Sequence, residues 1–357
     1  MHFHSLVIAD VRRETADAVS LAFTVPAALR AAFAFQCGQY LTLRAFVGGE
    51  EQRRAYSICS GMDEGELRIA VKRVAGGRFS AFAADELKAG DAIDVAPPMG
   101  NFGVAPKPGA ARRYAAFAAG SGITPILSIV KSVLAREPAS HFSLFYGNRD
   151  TRSILFKDTL ADLKDGAIGR LSVHHVLSRE ARDIGVLNGR LDGAKALALL
   201  RAAGPADRLD HIFLCGPAAM TAEITRALLG LGVERKRVQT ELFTPAEGGL
   251  GATRPASQPD AAQGDGAKLS LRIDGATHMI TMRADETVLE AAQRQGLDMP
   301  WSCRAGMCCT CRARLVEGAV TMDQNYSLEA WEMQAGFVLT CQARPTSAVL
   351  TVDFDSV

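Results

Sequence analysis

Along the chain the hydrophobic positions change rhythm three times. Up to about residue 105 they come in strand-length runs, Ala18–Phe23, Tyr40–Ala45, Arg54–Cys59 and Leu67–Val74, with turn residues between them and one short helix near Ser80–Leu87. Several short strands at regular spacing predict a small antiparallel β-barrel over 1–105. From 106 to 244 the apolar runs Tyr114–Ala119, Phe142–Tyr146, Leu171–Leu177 and Ile212–Cys215 alternate with the helical stretches Ile126–Leu134, Lys195–Ala202 and Met220–Leu229. That alternation predicts an α/β domain, a parallel sheet with helices on both faces, whose ligands bind at the carboxyl ends of the strands.

Residues 245–267 hold almost no large apolar side chain and are rich in Pro, Gly, Ala, Ser and Gln. Such a segment cannot bury enough surface to fold and reads as a linker, spanning roughly 25 Å if it behaves as a coil. Residues 268–357 resume a folded pattern. Leu269–Ile273 and Thr277–Arg283 flank Asp274-Gly275, a strong hairpin signal. Thr287 and Glu290 have capping-box spacing and open a helix that Gly296 stops, and Ala348–Phe354 ends the chain as a strand.

Four cysteines in this last segment, Cys303, Cys308, Cys311 and Cys341, have the C-x4-C-x2-C…C spacing of a plant-type [2Fe–2S] centre. Three thiolates on one short loop can wrap a small cluster while Gly306 lets the backbone turn tightly and approach it. Structural zinc favours paired C-x2–4-C knuckles, and nothing in the sequence suggests export and disulfides. Cys309 is surplus, because its neighbours already satisfy the spacing.

Composition narrows the picture further. With 48% hydrophobic and 22% charged residues in 357, the chain reads as two or three ordinary globular domains. A net charge of +1 gives no reason to expect nucleic acid or an anionic membrane as partner. The N-terminus lacks a secretory pattern and no apolar stretch is long enough to span a bilayer, so a cytoplasmic location is expected.

Four motifs in the first 244 residues carry candidate chemistry. Arg54-Ala55-Tyr56-Ser57 lies on a predicted strand, with Arg54 and Tyr56 on one face and Ser57 on the other. Gly76-Gly77-Arg78-Phe79-Ser80 opens a helix, where backbone N–H groups favour phosphate. In Gly120-Ser121-Gly122-Ile123-Thr124-Pro125, after a strand, Thr124 is the expected helix cap, but the dinucleotide fingerprint lacks its third glycine. Cys215-Gly216-Pro217 ends a strand where an α/β sheet presents residues to ligands, although on composition alone a small buried core thiol is the stronger reading there. Trp301 and Trp331 read as packing residues near the cysteine loop, and His174 and His175 as pointing to opposite faces of a strand.

In this order the motifs resemble the ferredoxin–NADP reductase family over nearly all of residues 1–244, and residues 268–357 resemble plant-type ferredoxins with a β-grasp-like fold. Joined, they look like the reductase components of bacterial oxygenases. Ala118–Pro125, Tyr146–Arg149, Cys215–Met220, Asn325–Glu329 and Val352–Asp355 are similar to the reductases of phenylacetyl-CoA epoxygenases. The resemblance implies that Arg54, Ala55, Tyr56 and Ser57 bind FAD, with Gly77, Arg78, Phe79 and Ser80 at its phosphates. It implies that Gly120, Gly122, Thr124, Cys215 and Gly216 receive the nicotinamide dinucleotide, and that Glu241 and Phe243 close over the flavin. Ser57, Cys215 and Glu241 are the expected catalytic residues. Arg149, Ser178 and Arg179, after two strands, could grip a 2′-phosphate and favour NADPH as the substrate. The expected partner is a separate di-iron oxygenase acting on phenylacetyl-CoA, since the chain lacks paired Glu-x-x-His motifs of its own. The competing readings are an NADH-dependent reductase of an aromatic-ring dioxygenase and a non-catalytic redox sensor or electron carrier.

Overall fold

The computed structural model describes residues 1–204, 208–244, 266–283 and 285–356. The expected linker therefore lies, except for Gly266 and Ala267, outside the described residues. The chain divides into two compact units, one holding the first eleven strands and the other the last seven.

The first unit begins with β1 (His4–Thr15), β2 (Ala18–Thr24), β3 (Tyr40–Val47), β4 (Glu50–Ser57), β5 (Leu67–Lys72), α1 (Arg78–Asp85) and β6 (Ala92–Val95). The strands pair antiparallel in the order β4-β3-β6-β1-β2-β5. A bridge between Ile58 and Ile69 draws the two edges together into a barrel. Leu6, Ile8, Leu21, Leu41, Leu43 and Ile69 fill its interior, and α1 adds Phe79 and Ala83. The hydrophobic rhythm missed β1 because a bulge after Ile8 interrupts its alternation and the charged run Arg12-Arg13-Glu14 follows. It also started β4 four residues late. Gly48 and Gly49, both at positive φ, turn β3 directly into the polar stretch Glu50–Arg53.

The second sheet is parallel throughout. It comprises β7 (Arg113–Ala119), α2 (Ile123–Arg136), β8 (His141–Asn148), α3 (Lys157–Gly166), β9 (Leu171–Leu177), α4 (Gly193–Ala203), β10 (His211–Pro217), α5 (Ala218–Gly230) and β11 (Val238–Thr244). The order β11-β10-β7-β8-β9 places a topological switch point between β7 and β10. Two apolar clusters cover the two faces, one around α2 and α3 and the other around α4 and α5. Helix α3 escaped the sequence reading because only Leu160 is buried along it. His174 stacks on Phe145 and His175 leans on Tyr146, on opposite faces as expected.

Barrel and parallel sheet are joined by buried polar contacts. Ser128 Oγ donates to the Ser60 carbonyl at 2.7 Å, and Ser132 Oγ accepts from the Met62 N–H at 3.1 Å. Phe102 packs edge-on to Phe213 of β10 at 5.7 Å. Among the described residues no helix is long and apolar enough to cross a membrane.

The other unit contains β12 (Lys268–Ile273), β13 (Ala276–Thr281), α6 (Val288–Arg294), β14 (Arg312–Glu317), β15 (Val320–Met322), α7 (Ala330–Gln334), β16 (Phe337–Leu339), β17 (Ala343–Pro345) and β18 (Val349–Asp353). Its mixed sheet runs β13-β12-β18-β14-β16, with β12 and β18 parallel, beside a small β15-β17 ribbon. Asp274 and Gly275 both take the positive φ that a tight hairpin needs. Thr287 and Glu290 form the predicted reciprocal cap of α6. Val288, Leu289, Ala291 and Ala292 pack that helix into the core with Leu271 and Val352. One expectation fails here: Trp301 is buried, but Trp331 is 62% exposed. The five-residue α7 turns its tryptophan outward while Glu332 points inward to Arg312 at 3.1 Å.

Candidate functional site

At the switch point, the ends of β4, β7, β10 and β11 bring together three residues far apart in sequence. Ser57 Oγ donates to Glu241 Oε2 at 3.3 Å, and Cys215 Sγ lies 3.9 Å from the same oxygen. Cys215 and Glu241 are register partners on adjacent parallel strands, so their side chains leave the sheet on one face. Burial pushes the Glu241 carboxyl up to about 8, against the hydrogen bonds from Ser57 and Cys215. Burial and the Glu241 charge push the Cys215 thiol well above its ordinary value. The centre is therefore a neutral thiol, a hydroxyl and a carboxyl that holds its proton at neutral pH. Phe243, two residues on, is half-buried against the same apolar cluster as Cys215.

The turn after β7 is shaped by close approach. A Cβ at Gly122 would stand 2.2 Å from the Cys215 carbonyl oxygen, and one at Gly216 would stand 2.7 Å from Met220 Cε. Gly120 takes φ +53, leaves open space beside it, and accepts a hydrogen bond from Tyr146 Oη at 2.9 Å. The helix starts earlier than the sequence suggested. Gly122 is the N-cap, and Thr124 is buried inside the first turn, donating to the Ser121 carbonyl at 3.0 Å. Thr124 thus holds the turn's shape from within, while the open backbone of Gly120 remains on the surface of the crevice.

On the barrel, Arg54 is exposed, Ala55 and Tyr56 are half-buried and Ser57 is buried. Arg54 donates to the Arg53 carbonyl and to Gln52 Oε1. Tyr56 packs on Phe79 with ring centroids 5.8 Å apart, and Phe79 belongs to the barrel core. Gly77 is the N-cap of α1 and no side chain caps it, so the N–H groups of the first turn stay open to an anion. Ser80 Oγ instead accepts from the Val74 N–H and donates to the Gly77 carbonyl, stiffening the loop. Arg78 reaches away to Glu50 and the Val47 carbonyl. An open helix N-terminus, an aromatic face and an exposed guanidinium fit a flavin nucleotide.

Arg149, Ser178 and Arg179 lie just past the ends of β8 and β9. Backbone bonds tie Ser178 to Asn148 and Arg179 to Arg149, at 3.0 and 2.7 Å. Arg149 is half-exposed and reaches Asp17 at 3.2 Å, while Arg179 is exposed and has no ion pair among the described residues. Two guanidinium groups with an adjacent hydroxyl suit a phosphate monoester.

In the other unit the cysteines form two pairs. Cys303 neighbours Cys308, and Cys311 neighbours Cys341. Among the described residues no three His, Cys, Asp or Glu side chains converge on a single-ion site. Two thiol pairs instead match a cluster of two irons with two terminal thiolates each. The Cys308 thiol and the N–H groups of Ala305 and Met307 draw the Cys303 thiol down to about 6, the backbone bonds measuring 3.3 and 3.4 Å. Gly306, at φ +73, allows the Gln324 carbonyl within 2.7 Å of where a Cβ would stand. Thr340 ties the Cys311 carbonyl to the turn of Cys341 through both its N–H and its hydroxyl. Burial pushes Cys309 up to about 11, and it is not in either pair. The residues fit a [2Fe–2S] cluster. The sequence reading missed Gln342, whose amide meets backbone carbonyls and the Cys341 sulfur through folding alone, without any motif spacing.

Comparison with known proteins adds independent findings. Residues 5–103 match the oxidoreductase FAD-binding domain, residues 117–226 the oxidoreductase NAD-binding domain, and residues 271–346 the 2Fe-2S iron-sulfur cluster binding domain. The chain is 44% identical over 356 residues to a component of the 1,2-phenylacetyl-CoA epoxidase of Escherichia coli (strain K12), covering 99% of this chain and 98% of that protein. It is 33% identical over 321 residues to the ferredoxin reductase component of 3-ketosteroid-9-alpha-monooxygenase of Rhodococcus rhodochrous, covering 89% and 87%. Among solved structures, phthalate dioxygenase reductase, described as modular for electron transfer from pyridine nucleotides to [2Fe–2S], aligns with TM-score 0.59 and 25% identity over 99% of this chain and 98% of that one.

Proposed function

The chain belongs to the NAD(P)H-dependent reductases that join FAD-binding, NAD-binding and [2Fe–2S] ferredoxin domains and supply electrons to oxygenases, and within that family we propose that it serves a di-iron oxygenase that epoxidises phenylacetyl-CoA, drawing on NADPH. The observation that carries this reading is the 44% identity sustained over 99% of the chain, which spans all three domains rather than the shared motifs alone.

Bound FAD accepts two electrons together and the cluster takes them one at a time. The residues of the chain supply position and protonation. Glu241, protonated at neutral pH, keeps Ser57 and Cys215 in one arrangement at the crevice. Gly122 and Gly216 let the turn after β7 and the start of α5 pack closely against the Cys215 backbone, and Gly120 leaves open space beside it for a nicotinamide dinucleotide. We assign Arg54 and the first turn of α1, from Gly77, to the flavin pyrophosphate and Tyr56 to the ring face. Arg149, Ser178 and Arg179 take the 2′-phosphate. Cys303, Cys308, Cys311 and Cys341 are the cluster ligands. The domain limits we adopt are 1–105, 106–244 and 268–357.

The test is reconstitution. The purified holoprotein, NADPH and phenylacetyl-CoA are combined with the oxygenase subunits of a phenylacetyl-CoA epoxidase, and epoxide is measured. Product that depends on the chain supports the assignment. No product there, but turnover with a 3-ketosteroid or aromatic-ring oxygenase, overturns it.

A further inference from the structure

We propose that the side-chain amide of Gln342 is a positioning residue that sets the reduction potential of the cluster by donating to the Cys341 sulfur and clamping the cysteine loop to the turn that carries it. Gln342 is only 7% exposed. Its Nε2 lies 3.0 Å from the Arg304 carbonyl, 3.0 Å from the Cys341 carbonyl and 3.4 Å from Cys341 Sγ. One hydrogen of the amide serves the loop carbonyl and the other is left for the Cys341 group. The backbone on either side is fixed. Gln342 N–H donates to Leu339 and its carbonyl accepts from Asp323, so the amide cannot drift from the sulfur without breaking the turn.

The Arg304 carbonyl is worth clamping. Arg304 takes φ +52, a left-handed conformation that costs a non-glycine residue. Its guanidinium covers Trp301 at 3.9 Å and bonds Gln293 Oε1 at 2.8 Å. The Gln342 amide is a third fixing point, between Cys303 and Cys341, where the loop meets the remote thiolate.

The sign follows from charge. One-electron reduction adds a negative charge shared over the thiolate sulfurs, and a hydrogen-bond donor at a sulfur favours the more negative state. Without the amide the oxidised state gains ground and the potential falls. The inference stands on the assignment of the four thiolates as cluster ligands and needs neither the oxygenase partner nor NADPH.

The experiment is an EPR-monitored redox titration of the holoprotein with Gln342→Met and Gln342→Glu, beside iron and FAD content. Both side chains keep the length of glutamine; methionine has nothing to donate, and an ionised glutamate donates nothing and adds a negative charge. We expect iron and FAD content unchanged and the reduction equilibrium shifted threefold or more toward the oxidised cluster, about 28 mV downward at 59 mV for a tenfold change. The larger shift belongs to Gln342→Glu. A smaller shift or an upward one overturns the proposal. So does loss of iron from both variants with FAD retained, which would make Gln342 a purely structural brace. Absence of the [2Fe–2S] signal from the unaltered protein would overturn the ligand assignment together with the proposal.

Discussion

Replacing Glu241 with glutamine should remove a weakness of the first unit that grows with pH. The Glu241 carboxyl is pushed from 4.5 to about 8 in the fold. A group whose folded-state pKa is raised contributes its stability in full below the unfolded value and loses it as pH rises through the folded value. Here the window runs from 4.5 to about 8. At about 1.4 kcal/mol for each tenfold, ionising this carboxyl in place costs up to about 5 kcal/mol. Glutamine has the shape of the protonated acid, so it keeps the Ser57 bond and never ionises. The Cys215 contact, at 3.9 Å, is too long to offset that difference. The assay is the midpoint of thermal FAD release, followed by flavin fluorescence, for both proteins between pH 5 and 9. At about 2–4 °C per kcal/mol for a unit of this size, the variant should gain little at pH 5 and up to roughly 10–20 °C near pH 9. A difference in midpoint that stays constant across that range would refute the reasoning.

Two further outcomes test the assigned residues. Cys309→Ser should retain the cluster, whereas Cys308→Ser should lose most of its iron, because only Cys308 belongs to a thiol pair; equal iron in the two variants counts against the ligand assignment. The double variant Arg149→Ala/Arg179→Ala should lose its preference for NADPH over NADH, read as the ratio of the two kcat/KM values. An unchanged ratio would mean that these side chains do not meet the 2′-phosphate.

Much of this architecture was legible because it rests on local rules. Alternating apolar runs gave β2, β3, β7 and β9 nearly to the residue, and the Asp274-Gly275 turn and the Thr287–Glu290 cap needed no tertiary knowledge. What stayed hidden depended on context. Strand β1 carries a bulge and a run of charge, α3 buries one residue, and β15, β16 and β17 are three residues long. The site divides in the same way. Cysteine spacing announces a cluster, but the meeting of Ser57 with Glu241, 184 positions apart, exists only in the folded chain. Thr124 shows the opposite limit. Its residue type fits a cap, yet the close fit of Gly122 against the Cys215 carbonyl starts the helix earlier and buries the hydroxyl.

The most direct test of electron flow is anaerobic stopped-flow mixing of the holoprotein with NADPH, with freeze-quench EPR on the same time axis, for the unaltered protein and for Cys308→Ser. Flavin bleaching is expected first and the reduced [2Fe–2S] signal afterwards, with Cys308→Ser bleaching its flavin at the same rate but yielding no cluster signal. A reduced cluster that precedes flavin bleaching, or a flavin that NADPH leaves oxidised, would contradict this order of transfer.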